Sequence, residues 1–310
     1  MPTQEKSLEL APRSLLVAYD FSEAAQKALR HGLVIARHYG AKFYLAHVVS
    51  SLGYNIAGAE SLRLASEKTA RAAKELEAGL QNSGALAGLE YEFLLREGDV
   101  WEQLEKIIEK KHVNVIVVGT HGRGTLGKLI LGSVAERIFR QANCIVVTVG
   151  PGAQVESLIE RRQNVRPFLL ATDFSTDSLR ALPHAVSFAK HFDAKLVVLN
   201  VLPAAPIPEG FHWSKTGDLA EMRAQARKES EKLFEELVLR QVPKDTKIEF
   251  LVKYGLSGEQ ILQASHELKA DLILLGLRLH AHVPTASHTP WEIAYKIVCT
   301  ANCPVLTIRS

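Results

Sequence analysis

"SLLVAYDFSEAAQKALRHGLVIARHYGAKFYLAHVV" runs from Ser14 to Val49, and "PFLLATDFSTDSLRALPHAVSFAKHFDAKLVVLNVL" runs from Pro167 to Leu202. The two align without a gap: Asp20 meets Asp173, Ser22 meets Ser175, Lys42 meets Lys195 and Val48 meets Val201. Further along, "EGDVWEQLEKIIEKKHVNVIVVG" matches "YGLSGEQILQASHELKADLILLG", and "ANCIVVTV" matches "ANCPVLTI". A unit this long is a duplicated domain, not a solenoid repeat. The chain of 310 residues has room for two full cores. The repeat places one domain at residues 1–150 and a second at 168–310. "PGAQVESLIERRQNVRP", residues 151–167, is the linker.

Each unit reads as strand and helix in alternation. In the first, "SLLVAYD", "KFYLAHVV", "EYEFLLRE", "VNVIVVG" and "CIVVTVG" are short apolar runs. Between them, "SEAAQKALRHGLVIARHY" puts Leu29, Leu33 and Ala36 on one helical face. "AESLRLASEKTARAAKELEAGLQNS" is a long amphipathic helix stopped at Ser83-Gly84. "VWEQLEKIIEKKH" and "SVAERIFRQA" complete the helices. Continuous apolar strands between helices imply a parallel sheet covered on both faces. The fold class is α/β: two tandem doubly wound domains.

Composition narrows the function classes. The net charge is +3, and no Lys/Arg block with interleaved aromatics appears, which argues against a nucleic-acid partner. The opening "MPTQEKSLELAPRS" lacks the apolar run of a signal peptide. No run approaches the ~18 apolar residues of a membrane span. Three cysteines, Cys144, Cys299 and Cys303, do not make a disulfide framework. A cytoplasmic protein without membrane partners is expected. Cys303 occupies the slot of Cys144 at a strand start, the place of a small buried residue.

The chemistry-bearing stretch is "VVGTHGRGTLGKLILGSVAERI", Val117 to Ile138. It holds three overlapping glycine patterns. Gly122-x-Gly124-x-x-Gly127 fits a dinucleotide fingerprint, and Gly122-x4-Gly127-Lys128 fits most of a P-loop. Both normally follow the first strand of a domain, whereas these glycines follow the fourth. The P-loop reading also puts Leu129 where a hydroxyl should hold Mg²⁺. The third spacing, Gly119-x2-Gly122-x9-Gly132-Ser133, suits a ligand at a strand end. Glycine backbone can approach phosphates closely, and Gly132-Ser133 opens a helix whose N-terminus favours an anion. Arg123 and Lys128 offset polyphosphate charge.

That third spacing, set after "VVG" and before "SVAERI", resembles the nucleotide-binding motif of the universal stress protein family. "LLVAYDFSEAAQKAL" resembles the family's first strand and helix, and the duplication resembles its tandem two-domain members. The resemblance implies five parallel strands per domain, binding of ATP in some members, and a role in stress survival. Carried over by position, Ala18 and Asp20 match residues that meet adenine and ribose, and Val48 an adenine wall. Val118 and Gly119 match the floor beneath ribose and phosphates. Gly122, Gly132, Ser133 and Val134 match the phosphate loop. Alanine at position 18 departs from the proline common in the family. Mg²⁺ accompanies the phosphates in this expectation, and any ATP hydrolysis is slow.

Plainer readings stand beside these. Ser133-x-x-Glu136 is also a capping box, and Asp20 is also a turn residue ahead of a helix. His121 has no catalytic partners in the sequence and reads as a loop residue. His280-x-His282 with His288 has metal-like spacing but no neighbouring carboxylate or cysteine, so no metal site is assigned.

The second copy of the loop, "GLRLHAHVPTASHTPWEIAYKI", keeps Gly276 but has Leu279 in the slot of Gly122. Trp291 and Glu292 stand where Gly132 and Ser133 stood. An indole fills phosphate space and a carboxylate repels phosphate. The expectation is therefore one ATP-binding domain and one degenerate partner, a regulatory protein. The alternative is a nucleotide-independent interaction or chaperone-like scaffold.

Family members commonly dimerise through their last strands. "CIVVTV" and "CPVLTI" are therefore expected to pair as an intrachain pseudo-dimer, with further homodimerisation open. Residues 1–155 made alone should then dimerise through the bared strand edge. A strictly monomeric fragment at high concentration, measured by analytical ultracentrifugation, would refute this.

Overall fold

The computed structural model describes residues 11–50, 58–120, 131–153, 166–204, 216–277 and 290–309. The chain divides into two compact units, one within Ala11–Glu160 and the other within Arg161–Ser310. The first contains β1 (Ser14–Ala18), α1 (Glu23–Tyr39), β2 (Lys42–Ser50), α2 (Gly58–Asn82), β3 (Tyr91–Gly98), α3 (Val100–Lys110), β4 (Val115–Gly119), α4 (Ser133–Gln141) and β5 (Ile145–Val149). Parallel ladders join these strands in the order β3-β2-β1-β4-β5.

The second unit repeats the plan with β6 (Phe168–Ala171), α5 (Thr176–Leu179), α6 (Ala181–His191), β7 (Leu196–Leu202), α7 (Thr216–Leu233), β8 (Ile248–Tyr254), α8 (Ser257–Glu267), β9 (Leu272–Leu277), α9 (Pro290–Thr300) and β10 (Val305–Arg309). Its strands run β8-β7-β6-β9-β10, again parallel. The doubly wound α/β architecture expected from the repeat is present in both units.

Two departures from the sequence expectation have local causes. The single helix of the first unit is split in the second into α5 and α6 at Arg180. Pro183 lacks the N–H that would bond the carbonyl of residue 179, and its ring crowds that carbonyl. The end of α7 widens into a π-helical turn, Phe234–Leu239.

Strand interiors carry the core. Leu15, Leu16, Val17, Val115, Ile116, Val117, Val146 and Val147 are all fully buried, as a sheet covered on both faces requires. Helix α1 shows why its residues fold locally. The Ser22 hydroxyl accepts from the Ala25 N–H at 3.1 Å, an N-cap, and Gly40 closes the helix in the left-handed region at φ 63°. Between the caps, Ala24, Ala28, Gly32, Ile35 and Ala36 form a stripe of mostly small buried residues against the sheet.

Within that stripe lies one buried titratable group. His31 is 1% exposed, and its Nε2 has no hydrogen-bond partner among the described residues. Burial, with a smaller contribution from Lys27, lowers its pKa to about 4. His184, at the matching position of the second unit, is shifted in the same direction by burial.

The sign follows from linkage. Between pH 6.5 and 4 the unfolded chain binds a proton on residue 31 that the folded chain refuses. Stability is therefore full above the unfolded pKa and falls as pH drops through this window, by up to about 3 kcal/mol for this one residue. Urea unfolding at pH 7.5 and pH 5 should show the loss, and His31→Leu should flatten it. An unchanged pH dependence in the variant would assign the loss to other groups.

Candidate functional site

The strand order reverses between β1 and β4, and ligands of open α/β sheets bind beyond the carboxyl ends of strands at such a point. Ala18 and Val118 are register partners there, and Ala18 also faces Ala46 across the β1–β2 ladder. Val48 lies two residues further along β2, half-buried. Gly119 ends β4, and Thr120 follows it, fully buried. The Gly132 N–H donates to the Thr120 carbonyl at 2.8 Å. One hydrogen bond thus closes the base of the glycine loop and sets the start of α4 beside the end of β4. Ala18, Asp20, Val118, Gly119 and Gly132–Val134 are brought to one end of the sheet. Gly122, Arg123 and Lys128 lie outside the described residues, as do most of the linker and the loop carrying Leu279, His280, His282 and His288.

Asp20 has a definite structural task. Its Oδ1 accepts from the Ser22 N–H at 2.9 Å, an Asx turn that starts α1. Phe21, inside that turn, has φ 62°, a left-handed conformation that is costly for an aromatic residue. The second unit repeats the device, with Asp173 Oδ1 accepting from Ser175 N–H at 2.9 Å and Phe174 at φ 61°. The turn is therefore a property of the fold, kept where the glycines of the loop are not.

Gly119 is fixed by packing as well. A Cβ there would lie 2.6 Å from the Ala24 carbonyl carbon in the first turn of α1. At Gly276, the second unit's counterpart, a Cβ would lie 2.3 Å from the Asp177 carbonyl oxygen. Close backbone approach explains both glycines without a ligand.

The capping-box expectation for Ser133 is corrected. Gly132 is the N-cap, at φ −59° and ψ 146°, and makes no side-chain cap bond. Ser133 is the first helical residue and is exposed. Glu136 does not reach back along the helix; its carboxylate accepts from Arg140 Nε at 2.9 Å. The local reason is register. The chain turns into the helix one residue earlier than the box requires, because Gly132 is tied to Thr120. Gly132 has no side chain with which to cap α4, and the N–H groups of its first turn have no intrahelical acceptor. Gly132 spends its own N–H on Thr120, so any anion would be met by the N–H groups after it.

Three neighbours escaped the sequence reading. His47 Nδ1 donates to the Tyr19 carbonyl at 2.6 Å, and the Phe21 ring lies edge-on to His47 at 4.9 Å. Arg137 on α4 meets both oxygens of Asp99 at 3.2 Å. Asp99 caps α3 by accepting from the Glu102 N–H at 3.0 Å. That bond, with Arg137 adding to it, holds the Asp99 carboxyl below its ordinary pKa. The pair braces α4 against α3. Helix patterning exposes the Asp99 cap, but nothing in the sequence signals the Arg137 contact.

In the second unit Trp291 is half-buried, with the Arg309 guanidinium 5.6 Å from its ring centre. Glu292 sits in the first turn of α9, where its own charge complements the helix dipole. Among the described residues no helix is long and apolar enough to cross a membrane, and no group of three His, Cys, Asp or Glu side chains is placed to hold a metal.

Comparison with known proteins places this geometry in a family. The model of the universal stress protein family matches twice, at residues 12–150 and 164–309. Universal stress protein MJ0531 of Methanocaldococcus jannaschii is 29% identical over 138 residues, covering 44% of this chain and 81% of that protein. Universal stress protein MJ0577 of the same organism is 26% identical over 152 residues, covering 44% and 94%. A crystal structure of a universal stress protein from Archaeoglobus fulgidus superposes with a TM-score of 0.65 at 19% identity, covering 96% of this chain and 98% of that one. With the fold, the twofold match and the strand-end geometry in agreement, the chain belongs to the universal stress protein family and carries its domain twice.

Proposed function

We propose that this protein is a regulatory stress-response protein that holds one adenine nucleotide, ATP, at the strand ends of its first unit. The observation that carries the proposal is the uncapped N-terminus of α4, set by the Gly132–Thr120 bond beside the ends of β1 and β4. First-turn N–H groups with no intrahelical acceptor, behind an N-cap that has no side chain, are donors suited to an anion. Asp20 uses Oδ1 on its turn, and a carboxylate has further acceptor capacity for a ribose hydroxyl. Val48 and Ala18 supply apolar contact for a base. In this reading Gly122 gives the phosphates backbone access, and Arg123 with Lys128 balances their charge.

The donor set fits the nucleotide better than it fits a resident metal. Asp20 is the one carboxylate assigned to the site, so Mg²⁺ would ride on phosphate oxygens and water. The second unit, with Trp291 and Glu292 at its α9 start, takes no triphosphate in this reading. The domain limits that follow are residues 1–150 and 168–310. A cytoplasmic location accompanies the reading. Mass spectrometry of protein purified without added nucleotide should release an adenine nucleotide. Its absence would favour the scaffold alternative.

Two outcomes are expected from direct binding. Isothermal titration with ATP should show one site per chain, and two comparable sites would refute the asymmetry between the units. The loop variants should be graded. Gly122→Val puts a β-branched side chain where backbone meets phosphate, and Gly132→Trp copies the second unit's residue. Both should abolish the ATP-induced thermal shift while leaving the fold intact. Ser133→Ala removes one exposed hydroxyl that caps nothing, so helix stability should barely change and ATP binding should weaken mildly. A full ATP shift in Gly132→Trp would overturn the phosphate-cradle reading.

A further inference from the structure

Both backbone groups of Thr120 are used, and by different elements. Thr120 follows Gly119 at the end of β4 and is fully buried. Its N–H donates to the carbonyl of Val149, the last residue of β5, at 3.0 Å. Its carbonyl accepts from the N–H of Gly132, the N-cap of α4, at 2.8 Å. One residue therefore ties the end of β5 to the start of α4.

The chain that leaves β5 is held as well. Gly150 follows Val149 directly, and the Ala153 N–H donates back to the Gly150 carbonyl at 3.1 Å, closing a turn. Ala153 is 2% exposed. Within that turn the Pro151 carbonyl accepts from Lys27 Nζ on α1. Lys27 also lies 3.4 Å from Glu23, but that carboxylate is 85% exposed, so the ion pair contributes little. The Lys27 side chain is itself only 23% exposed, a lysine laid along the protein rather than extended into water.

These bonds make a continuous path. It runs from the start of α4 through Thr120 and Val149 to the strip Gly150–Ala153, and from Pro151 through Lys27 to α1. Ala24, three residues before Lys27, is the residue on which Gly119 packs. The path thus closes on itself around the end of β4. Hydrogen-bond chains and rigid helices carry coupling between places in a fold. From this closed path we propose that Lys27 and Thr120 are positioning residues of the strand-end site, and that the strip Gly150–Ala153, where the chain leaves for the second unit, tightens when the start of α4 takes its anion. The coupling rests on these bonds. ATP as the anion that drives it rests on the nucleotide reading above. In the second unit the slot of Lys27 falls to Arg180, where the helix breaks between α5 and α6.

Amide hydrogen exchange on the full chain, read residue by residue by NMR, tests both parts. Without nucleotide, Lys27→Met should speed exchange at Ala153 by about fivefold or more, and speed Thr120 and Gly132 with it. Ala142, just past the far end of α4, should not change. Lys27→Arg keeps the cation and its donors and should restore the wild-type rates. A response at Ala153 alone, or at none of the three, would overturn the coupling. A rise that extends to Ala142 would be general loosening and would overturn it equally. Saturating ATP should slow Ala153 in the wild-type chain and leave it unslowed in Lys27→Met. Linkage makes the effect reciprocal, so Lys27→Met should also weaken ATP binding several-fold. A loss of affinity with the three amides unmoved would come from the missing charge and would sink the proposal. So would ATP binding that leaves Ala153 unaffected. If titration shows no ATP binding and the three amides still move together in Lys27→Met, the coupling stands and the nucleotide reading fails.

Discussion

A methyl group at Gly119 would sit 2.6 Å from the backbone of Ala24, and one at Gly276 would sit 2.3 Å from the backbone of Asp177. In each unit the first turn of the first helix lies directly on the end of the fourth strand, with no room for a side chain between them. Much else at this end of the sheet follows from that contact. The chain leaving the first strand must rise and reverse within a few residues to reach it. The Asx turn at Asp20 and the left-handed Phe21 achieve the reversal. A left-handed phenylalanine costs free energy, on the order of 1–3 kcal/mol. It persists because Tyr19, His47 and the packed helix leave the backbone no other course. Beyond Gly119 the chain is already committed to the switch point, and the Thr120–Gly132 bond returns it there to begin α4.

The duplication separates what the fold needs from what a ligand would need. Features kept in both units are explained by folding: the Asp–Phe–Ser turn, the strand-end glycine, and a helix-to-helix ion pair. Arg137 with Asp99 has its counterpart in Lys296 with Glu259 at 3.2 Å. Features found in one unit alone carry more functional weight. Gly132 with exposed Ser133 belongs to the first unit, and Trp291 with Glu292 to the second. The same division appears one strand over. His47 bonds the Tyr19 carbonyl in the first unit, whereas Asn200 makes the matching bond to Thr172 and also receives Ser230 from α7. Asn200 thereby ties α7 to the sheet through Ser230.

The α/β plan was legible in the sequence because its signals are local and repeated. Apolar β-branched runs, helical stripes such as Leu29–Leu33–Ala36, and the turn chemistry of Asp20 are each confined to a few residues. The gathering of Ala18, Asp20, Val118 and Gly119 at one strand end was implied by the family resemblance, and Gly119 also by its place at the end of the fourth strand. Three things were not. The sterics at Gly119 depend on a residue 95 positions away in sequence, which no spacing reveals. The cap of α4 slipped by one residue because a backbone bond to Thr120 outweighed the capping box that Ser133 and Glu136 spell. The π-helical turn Phe234–Leu239, which carries the buried Phe234 and Val238, has no signal in the residue pattern.

The slipped cap bears on chemistry. Had Ser133 capped α4, its hydroxyl would have satisfied one first-turn N–H and left less for a ligand. With Gly132 at the cap, the N-cap residue offers those donors no side-chain acceptor, and the positive end of the helix dipole stands beside the end of β4. Glycine at the N-cap is among the tolerated residues, yet it contributes no hydrogen bond. In the second unit the start of α9 carries Trp291 and Glu292, and Glu292 meets the helix dipole with a carboxylate of the chain's own. The first-turn carboxylate Glu292 of the second unit stands where the first unit has the uncharged Ser133. The duplicated domain thus differs, at the start of these two helices, by the residues that open them: Gly132 and Ser133 in one unit, Trp291 and Glu292 in the other.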